Sequence, residues 1–387
     1  MTDLATLFIR VGLFLLGLFI VFNVVLSALK TFALPRSANT RLTRTTFHIM
    51  RQVFELRMKR ARSYEARDQV MALYAPVTLF MLPLVWLSGA IIGCHARVHR
   101  FRGNVYSAFK ESGSSMPTLG FSMIADNAPA LILHFSQAAL GMLLVALLMA
   151  YLPTMYSAFS KRESVVSMLE VRAGSPPSPA DMLIRLNQIR GMDGFVELAQ
   201  TWEIWFTELE ESHTSLAALV FFRSPKSNNS WITAAGTMLD AASIMQSTVD
   251  RPNDPRISLM IRAGFIALRS IAGSFNIDYD PDPLPTDPIS IAREEFDQVY
   301  DQLVENKVPV RPDRDQCWRD YTGWRVNYDR VLLALAELTV APYAMWISDR
   351  GVPRWETPDR GLAERIRLTQ TVETVSLMGK GADETQK

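Results

Sequence analysis

The stretch that decides the fold is SGSSMPTLGFSM, residues 112–123, which lies between two long apolar runs. The preceding run is MALYAPVTLFMLPLVWLSGAIIG, residues 71–93, and the following run is PALILHFSQAALGMLLVALLMAYLPTM, residues 129–155. Neither run contains an acidic residue, lysine or arginine, and each is long enough to cross a bilayer, which takes roughly 20 apolar residues. The stretch between them is therefore either a tight turn or a re-entrant segment at membrane depth.

A third apolar run stands near the N-terminus, VGLFLLGLFIVFNVVLSAL at residues 11–29. A cleaved signal peptide is the alternative interpretation of a run in this position. Its apolar part is too long for that, and the basic region is missing because Asp3 and Arg10 roughly cancel. We therefore expect a retained helix and three membrane spans in all.

The charges flanking the spans predict their orientation. Residues 30–70 contain ten lysines and arginines against three acidic residues. Because basic loops stay in the cytoplasm, the N-terminus is expected outside and everything after Lys161 inside. Arg97, Arg100 and Arg102 oppose this assignment, since it places them on the external side.

The basic segment 36–70 has apolar residues at helical spacing, as at Leu42, Ile49 and Val53. This pattern predicts an amphipathic helix, for which two settings remain open. It could lie on the inner leaflet with its basic face near anionic lipid, or pack as a basic helix on the soluble domain.

The remainder, residues 161–387, is a charged soluble mixture with almost no strand pattern, so we expect an all-helical cytosolic domain. Helix starts are predicted from capping residues, and one long final helix is predicted from apolar spacing. The predicted starts and segments are Ser178-Pro179, Asp193, Asn229 or Ser230, Asp287-Pro288, a buried soluble helix at 256–274, and the final helix at 314–340.

Composition argues against several classes of function. The net charge of +1 gives no global field for nucleic acid, and two cysteines give neither a disulfide framework nor metal-ligand spacing. The acidic turn at 276–288 lacks the glycine and glutamate of a calcium loop. Glu210 and His213 form one Glu-x-x-His pair without the second copy that a di-iron site needs, which favours a surface helix. We expect no enzyme activity.

The middle of the 112–123 stretch has the residues that a narrow cation path requires. Such a path needs backbone carbonyls in place of the hydration shell, and extended backbone at membrane depth is tolerated only where it lines a cavity. In Thr118-Leu119-Gly120-Phe121, the glycine allows the backbone angles and the threonine adds a hydroxyl oxygen. Residues 103–116 can form a short preceding helix whose C-terminal dipole end favours a cation.

This order of a membrane span, a short helix, the T-L-G-F segment and a second span resembles the pore module of tetrameric potassium channels, whose filter reads Thr-Val-Gly-Tyr-Gly. The resemblance makes Thr118, Leu119, Gly120, Phe121 and Ser122 the filter. It also matches Gly141 and Pro153 with the gating hinge positions of the inner helix in such channels. The runs ALLMAYLPTMYSAFSKRE and CWRDYTGWRVNYDRVLLALAELTVAPY are similar to bacterial potassium-channel-like membrane proteins with a helical cytosolic domain.

The resemblance implies a homotetramer in the bacterial inner membrane, contacting lipid and conducting a monovalent cation such as potassium, with no other cofactor. It covers the pore module at residues 71–160, between a first helix at 1–35, the basic segment at 36–70 and the cytosolic domain at 161–387. The expected fold is an all-α membrane protein with three spans, a re-entrant pore helix, a filter loop and a helical soluble domain.

Two departures from the pattern put potassium selectivity in question. Ser122 replaces the second filter glycine and resists left-handed backbone angles, and Met123 replaces the usual acid. The three external arginines would also lower the cation concentration at the mouth unless Glu111 and Asp126 offset them. The alternative to a channel is a membrane-anchored sensor or scaffold that does not conduct.

Overall fold

A computed structural model describes residues 2–32, 40–61, 63–102, 105–121, 128–189 and 191–350, and the structural statements below concern those ranges. Within them the protein is helical without a strand, and the single β-bridge pairs Val249 with Val310. The chain divides into two compact units, Met1–Phe159 and Ser160–Lys387, which are considered separately. The expectation of an all-α protein is confirmed.

The first unit is built from long helices. In chain order they are α1 (Thr2–Phe32), α2 (Arg41–Met58), α3 (Tyr64–Ala72), α4 (Tyr74–Arg102), α5 (Val105–Ser115) and α6 (Ala128–Ala173), the last of which continues into the second unit. The segment predicted as one basic helix is two, because Thr40 caps the start of α2 and Ser63 caps the start of α3.

Four helical stretches are long and apolar enough to cross a membrane by length and composition. They are Phe14–Thr31, Tyr64–Gly93, His134–Ala173 and Pro255–Ser274. The first three contain most of the apolar runs on which the sequence prediction rests. The protein is thus an all-α chain with several membrane-length apolar helices.

The core of the first unit forms where α1 packs along α4. Their backbones approach closely at one point: a Cβ added at Gly93 would lie 2.9 Å from the carbonyl oxygen of Gly17. Further along, the buried Trp86 indole donates a hydrogen bond of 3.2 Å to the Ser27 hydroxyl. Small residues at the crossing and a satisfied polar pair below it are what helix association in lipid requires.

The second unit is a helical bundle around one buried helix. Its helices are α7 (Pro179–Ile189), α8 (Gly194–Ser215), α9 (Trp231–Ser247), α10 (Pro255–Ser274), α11 (Arg293–Glu305), α12 (Arg314–Arg325) and α13 (Asp329–Thr339), with a 3-10 helix at Ala217–Phe221. Every residue of α9 is buried, and α7, α10, α12 and α13 pack around it. Ser230 caps α9 as predicted, its hydroxyl accepting a hydrogen bond from the Ile232 N–H.

The apolar helix α10 qualifies as membrane-length, yet one of its faces packs inside this bundle against α8 and α9. Gly264 stands at the contact, where an added Cβ would lie 2.5 Å from the side chain of Leu239. On the opposite face Arg262 is exposed. The expected burial of this helix is therefore found on one face, and its assignment as a soluble helix stays a prediction.

Asp193 stands at the N-cap position of α8, where the sequence predicts a helix start, but its side chain makes no capping bond. Two predicted helix boundaries are wrong. The Asp287 carboxylate accepts from the Leu284 N–H and closes a turn, so the next helix starts only at Arg293. The predicted helix 314–340 is interrupted after Arg325, where the carbonyl of Asn327 accepts a hydrogen bond from Arg269.

A fully buried ion-pair cluster joins α9, α12 and α13. The Arg325 guanidinium donates to both Asp240 oxygens at 2.6 and 2.7 Å, to Asp329 at 2.7 Å and to the Trp346 carbonyl at 2.7 Å. The Tyr328 hydroxyl donates to Asp240 at 2.9 Å. Burial alone would lower the pKa of Arg325, but the two carboxylates raise it well above its usual range.

We expect Arg325→Met to lower the free energy of unfolding by about 3–5 kcal/mol, because it leaves Asp240 buried without its counter-charge. The measurement is thermal unfolding of the full chain in detergent. Adding Asp240→Asn should recover part of the loss. Arg256→Met, which breaks an exposed pair with Asp254, is the control and should change the midpoint little. Equal losses in the two single variants would contradict this assignment.

Candidate functional site

The candidate site is built on α5, the short helix between α4 and α6. The structure confirms that residues 103–116 contain a short helix, and α5 packs along α4. One face of α5 is buried, including Glu111, Ser112 and Ser114, and Met116 just beyond its end joins the core of the first unit. The helix is thereby held in place at its C-terminal end, which points the chain into Thr118-Leu119-Gly120-Phe121.

The T-L-G-F segment folds back over the end of α5 as a Schellman cap. The N–H groups of Leu119 and Gly120 donate to the Ser114 carbonyl at 2.9 and 3.2 Å, and the Thr118 N–H donates to the Ser115 carbonyl at 3.1 Å. This cap needs one residue with left-handed backbone, a position usually held by glycine. Here it is Thr118, with φ of 61°, and Gly120 follows with φ of 67°.

Unlike the N–H groups of this segment, its carbonyl oxygens are not used in the cap. In the described part of the chain, no donor is bonded to the carbonyl oxygens of Thr118, Leu119 or Gly120. The Thr118 hydroxyl donates to the Pro117 carbonyl at 2.6 Å, which leaves its oxygen lone pairs available. All residues from Pro117 to Phe121 are exposed in the single chain. Predicted Ser122 lies outside the described residues.

Gly141 has a packing role that the sequence did not reveal. An added Cβ at this position would lie 1.8 Å from the Met116 carbonyl oxygen, so the end of α5 rests directly on the α6 backbone. Helix α6 runs unbroken through both Gly141 and Pro153. The predicted role of these two residues as gating hinges stays a prediction.

A buried polar cluster lies between α5 and α6. The His134 imidazole bonds the Ser115 hydroxyl through Nδ1 at 2.7 Å and stands 3.5 Å from the Glu111 carboxylate through Nε2. Glu111 is therefore buried, whereas the sequence analysis considered it as a charge at the outer mouth that could offset the external arginines. Nearby on the same helices, the Ser112 hydroxyl and the Gln137 amide are buried and have no hydrogen-bond partner among the residues that the structure describes. The only sequence signal was His134, an ionisable residue inside an apolar run.

In the second unit, Arg162 of α6 is buried against α8 and the 3-10 helix. Its guanidinium donates to the carbonyls of Leu219 and Phe222 at 2.8 and 2.7 Å and lies 3.1 Å from His213 Nε2. His213 is thus fully buried, contrary to the predicted surface position, because it continues the buried face of α8 at Trp202, Phe206 and Leu209. Burial lowers the pKa of His213 well below 6.5, and the Arg162 charge lowers it further.

The fold and the site define an all-α protein with membrane-length apolar helices and a capped loop between two of them. Among the residues described, no group of three or more histidine, cysteine, aspartate or glutamate side chains is placed to hold a metal ion. Comparison with known proteins found no matching family, no matching curated protein and no matching solved structure.

We expect Gly141→Ala to destabilise the first unit by about 1–3 kcal/mol, because the added methyl forces the end of α5 away from α6. Gly113→Ala is the matched control, since a Cβ there meets no atom within 4 Å and alanine favours the helix. Thermal unfolding in detergent checks both variants. Equal midpoints would show that α5 does not rest on Gly141.

His213 predicts a pH dependence of stability. Because its pKa is lower in the folded state, the unfolded chain binds more protons below about pH 6.5. The stabilisation is fully present above that pH and falls as the pH drops, by up to about 1.4 kcal/mol per pH unit. Comparing denaturant unfolding of the wild type and His213→Gln between pH 7.5 and pH 5.5 checks this. A glutamine oxygen can still accept from Arg162, so the variant should lose less stability across that range; identical slopes would contradict the assignment.

Proposed function

We propose that the protein is a cation channel formed by four copies of the chain, with Thr118-Leu119-Gly120-Phe121 and Ser122 as the filter. The observation that carries this proposal is the division of backbone groups in the capped segment. The N–H groups of Thr118, Leu119 and Gly120 are bonded to α5, whereas their carbonyl oxygens accept no hydrogen bond from any residue that the structure describes. Backbone carbonyl oxygens are the groups that replace the hydration shell of a monovalent cation.

The surrounding structure supports a cation rather than an anion. The C-terminal end of α5, where the helix dipole is negative, leads directly into the segment. Further oxygen comes from the hydroxyl of Thr118. The segment is exposed in the single chain, with Leu119 at 66% and Phe121 at 59%, which leaves it accessible to neighbouring copies or to ions.

In this proposal three helices of each copy cross the bilayer: α1, α4 and the first part of α6. The N-terminus lies outside and the second unit lies in the cytoplasm, where it biases the opening of α6. Potassium is the expected permeant ion, with weaker discrimination against sodium than a two-glycine filter gives, because Ser122 resists left-handed angles.

Gly120→Ala tests the filter with little risk to the fold. A Cβ at Gly120 meets no atom within 4 Å, so the change acts through the left-handed φ of 67° and costs roughly 1–2 kcal/mol of backbone strain. We expect potassium flux into liposomes containing purified protein, and a marked reduction in the variant. Gly113→Ala, which also adds a methyl in open space, should leave the flux unchanged.

The flux assay separates the candidate functions when potassium, sodium and chloride are compared. A protein that moves no ion under any condition tried would be a membrane-anchored sensor or scaffold. Chloride movement without potassium movement would show that the pore selects anions, and the assignment of these carbonyls to a cation path would then be wrong. Equal flux through the wild type and Gly120→Ala would remove the segment from the ion path.

A further inference from the structure

Helix α2 exposes a short apolar line although it is a basic helix. Ile49, Val53 and Leu56 are 53, 56 and 64% exposed, and their spacings of four and three residues place them on one face. Elsewhere the helix is held in the first unit, where Thr43 and Thr46 are buried. We call the three exposed side chains the apolar line. The sequence alone leaves two settings open for this helix, an anionic lipid leaflet or the soluble domain.

Exposed basic residues border the apolar line on both sides. With 3.6 residues per turn, Arg41 lies on one side of the line and Arg57 on the other, each within about 90°. Arg44, Lys59 and Arg60 are exposed as well. Within the described ranges, none of these five residues makes an ion pair. The line is therefore framed by positive charge that the chain itself does not neutralise.

The helix contains almost no acid to balance this charge. Glu55 is the only acidic residue of α2, and its carboxylate accepts a hydrogen bond of 2.9 Å from Arg51. Arg41 and Arg44 stand in the first turn, where positive charge opposes the helix dipole and no acidic residue offsets it. A helix with this charge pattern is stabilised by anions that come from outside the chain.

Contacts along α2 place it beside the ends of two membrane-length helices. Near its start, the Thr43 hydroxyl bonds the Thr31 hydroxyl, in the last turn of α1, at 3.0 Å. Further along, Tyr74, the first residue of α4, donates from its hydroxyl to the Phe47 carbonyl at 3.2 Å. In the proposed topology α1 and α4 cross the bilayer, so α2 lies near the layer of lipid headgroups.

The size of the apolar line favours lipid over a protein partner. A stable protein interface buries about 800 Å² on each partner and has few charged residues at its centre. Three partly exposed aliphatic side chains offer much less, and arginines stand close beside them. An apolar strip with basic residues along its edges is instead typical of a helix that rests on the surface of an anionic bilayer. The aliphatic side chains enter the lipid while the long arginine side chains reach the phosphates.

We infer that α2 binds the headgroups of anionic phospholipids, with the apolar line inserted among the lipids and the exposed arginines paired with phosphates. The charge and the size of this surface thereby favour the leaflet over the soluble domain. The inference goes beyond the proposed function. It rests on the membrane topology of that proposal but not on the ion path, so it holds equally for a protein that does not conduct.

An environment-sensitive fluorophore on α2 tests the insertion. The full chain carries Cys94→Ser, its remaining Cys317 is buried, and Val53→Cys is labelled. The protein is reconstituted into phosphatidylcholine vesicles with or without phosphatidylglycerol. We expect blue-shifted emission that a nitroxide on the lipid headgroup quenches, with the larger effect in vesicles that contain phosphatidylglycerol. Ile204→Cys on α8 is the matched control, because Ile204 is 63% exposed but lies one turn from Glu208, and its probe should remain water-like in both.

Three results would overturn the inference. A Val53 probe that emits as in water in both kinds of vesicle would leave α2 outside the lipid. A probe that is shielded from aqueous iodide but is not quenched by the headgroup nitroxide would be covered by protein, as in the alternative setting. An equal response in both kinds of vesicle would show insertion without recognition of the anionic headgroup.

Removal of charge tests the contact with the headgroups. The unfolding midpoint of the full chain in detergent is followed as phosphatidylglycerol is added, and we expect it to rise. Each basic residue near an anionic surface changes binding by about fivefold, so Arg44→Gln with Arg57→Gln should weaken binding by up to about 25-fold. Arg262→Gln with Arg319→Gln removes two exposed arginines of the second unit and should leave the titration unchanged. The rise should shrink in about 1 M salt, where the screening length falls to about 3 Å.

Phosphatidylcholine and inorganic phosphate are the comparison ligands in this titration. A rise with inorganic phosphate equal to that with phosphatidylglycerol would indicate a site for a small anion and reject the membrane surface. A rise with phosphatidylcholine as large as that with phosphatidylglycerol would remove the role of charge. Flux separates this inference from the proposed function: lipid contact without ion flux supports the inference and rejects the channel. Ion flux through a protein whose Val53 probe stays water-like rejects the lipid surface only.

Discussion

The position of the candidate filter depends on one close contact, that between the Met116 carbonyl and Gly141. Because no side chain intervenes, the end of α5 rests on the backbone of α6. The Schellman cap then bonds residues 118–120 to Ser114 and Ser115, so the segment has little freedom relative to α5. A glycine in one helix thereby fixes where the exposed loop of another lies.

The polar cluster gives this arrangement a second fixed point. His134 precedes Gly141 by two turns of α6 and holds α5 through Ser115 and Glu111. Burying these groups in a membrane-length helix costs free energy unless they satisfy one another, so their pairing strongly favours one register of α5 on α6. These two contacts along α6 therefore fix both the position of α5 along α6 and the direction in which α5 points.

The sequence predicted what local chemistry determines and missed what tertiary contacts determine. Long apolar runs, the cap at Ser230 and the short helix before T-L-G-F follow from composition and spacing, and the structure contains them. The break after Arg325 could not be predicted, because it depends on Arg269 and Asp240, which are distant in sequence. His213 looked exposed because Glu210 and Glu211 precede it, yet its helical face is that of Trp202 and Leu209. Gly141 was singled out for bending, but its contact with Met116 is not visible in the sequence.

Helix α6 shows why burial adds information that periodicity cannot. The helix is apolar on every side between residues 135 and 156, so its sequence alone marks a membrane-length helix and no particular face. In the structure one line of residues along this helix is buried, and it includes His134, Gln137 and Gly141. Because a helix that is apolar on every side has no preferred face by periodicity, only the contact of Gly141 with Met116 and of His134 with Ser115 distinguishes this line from the others.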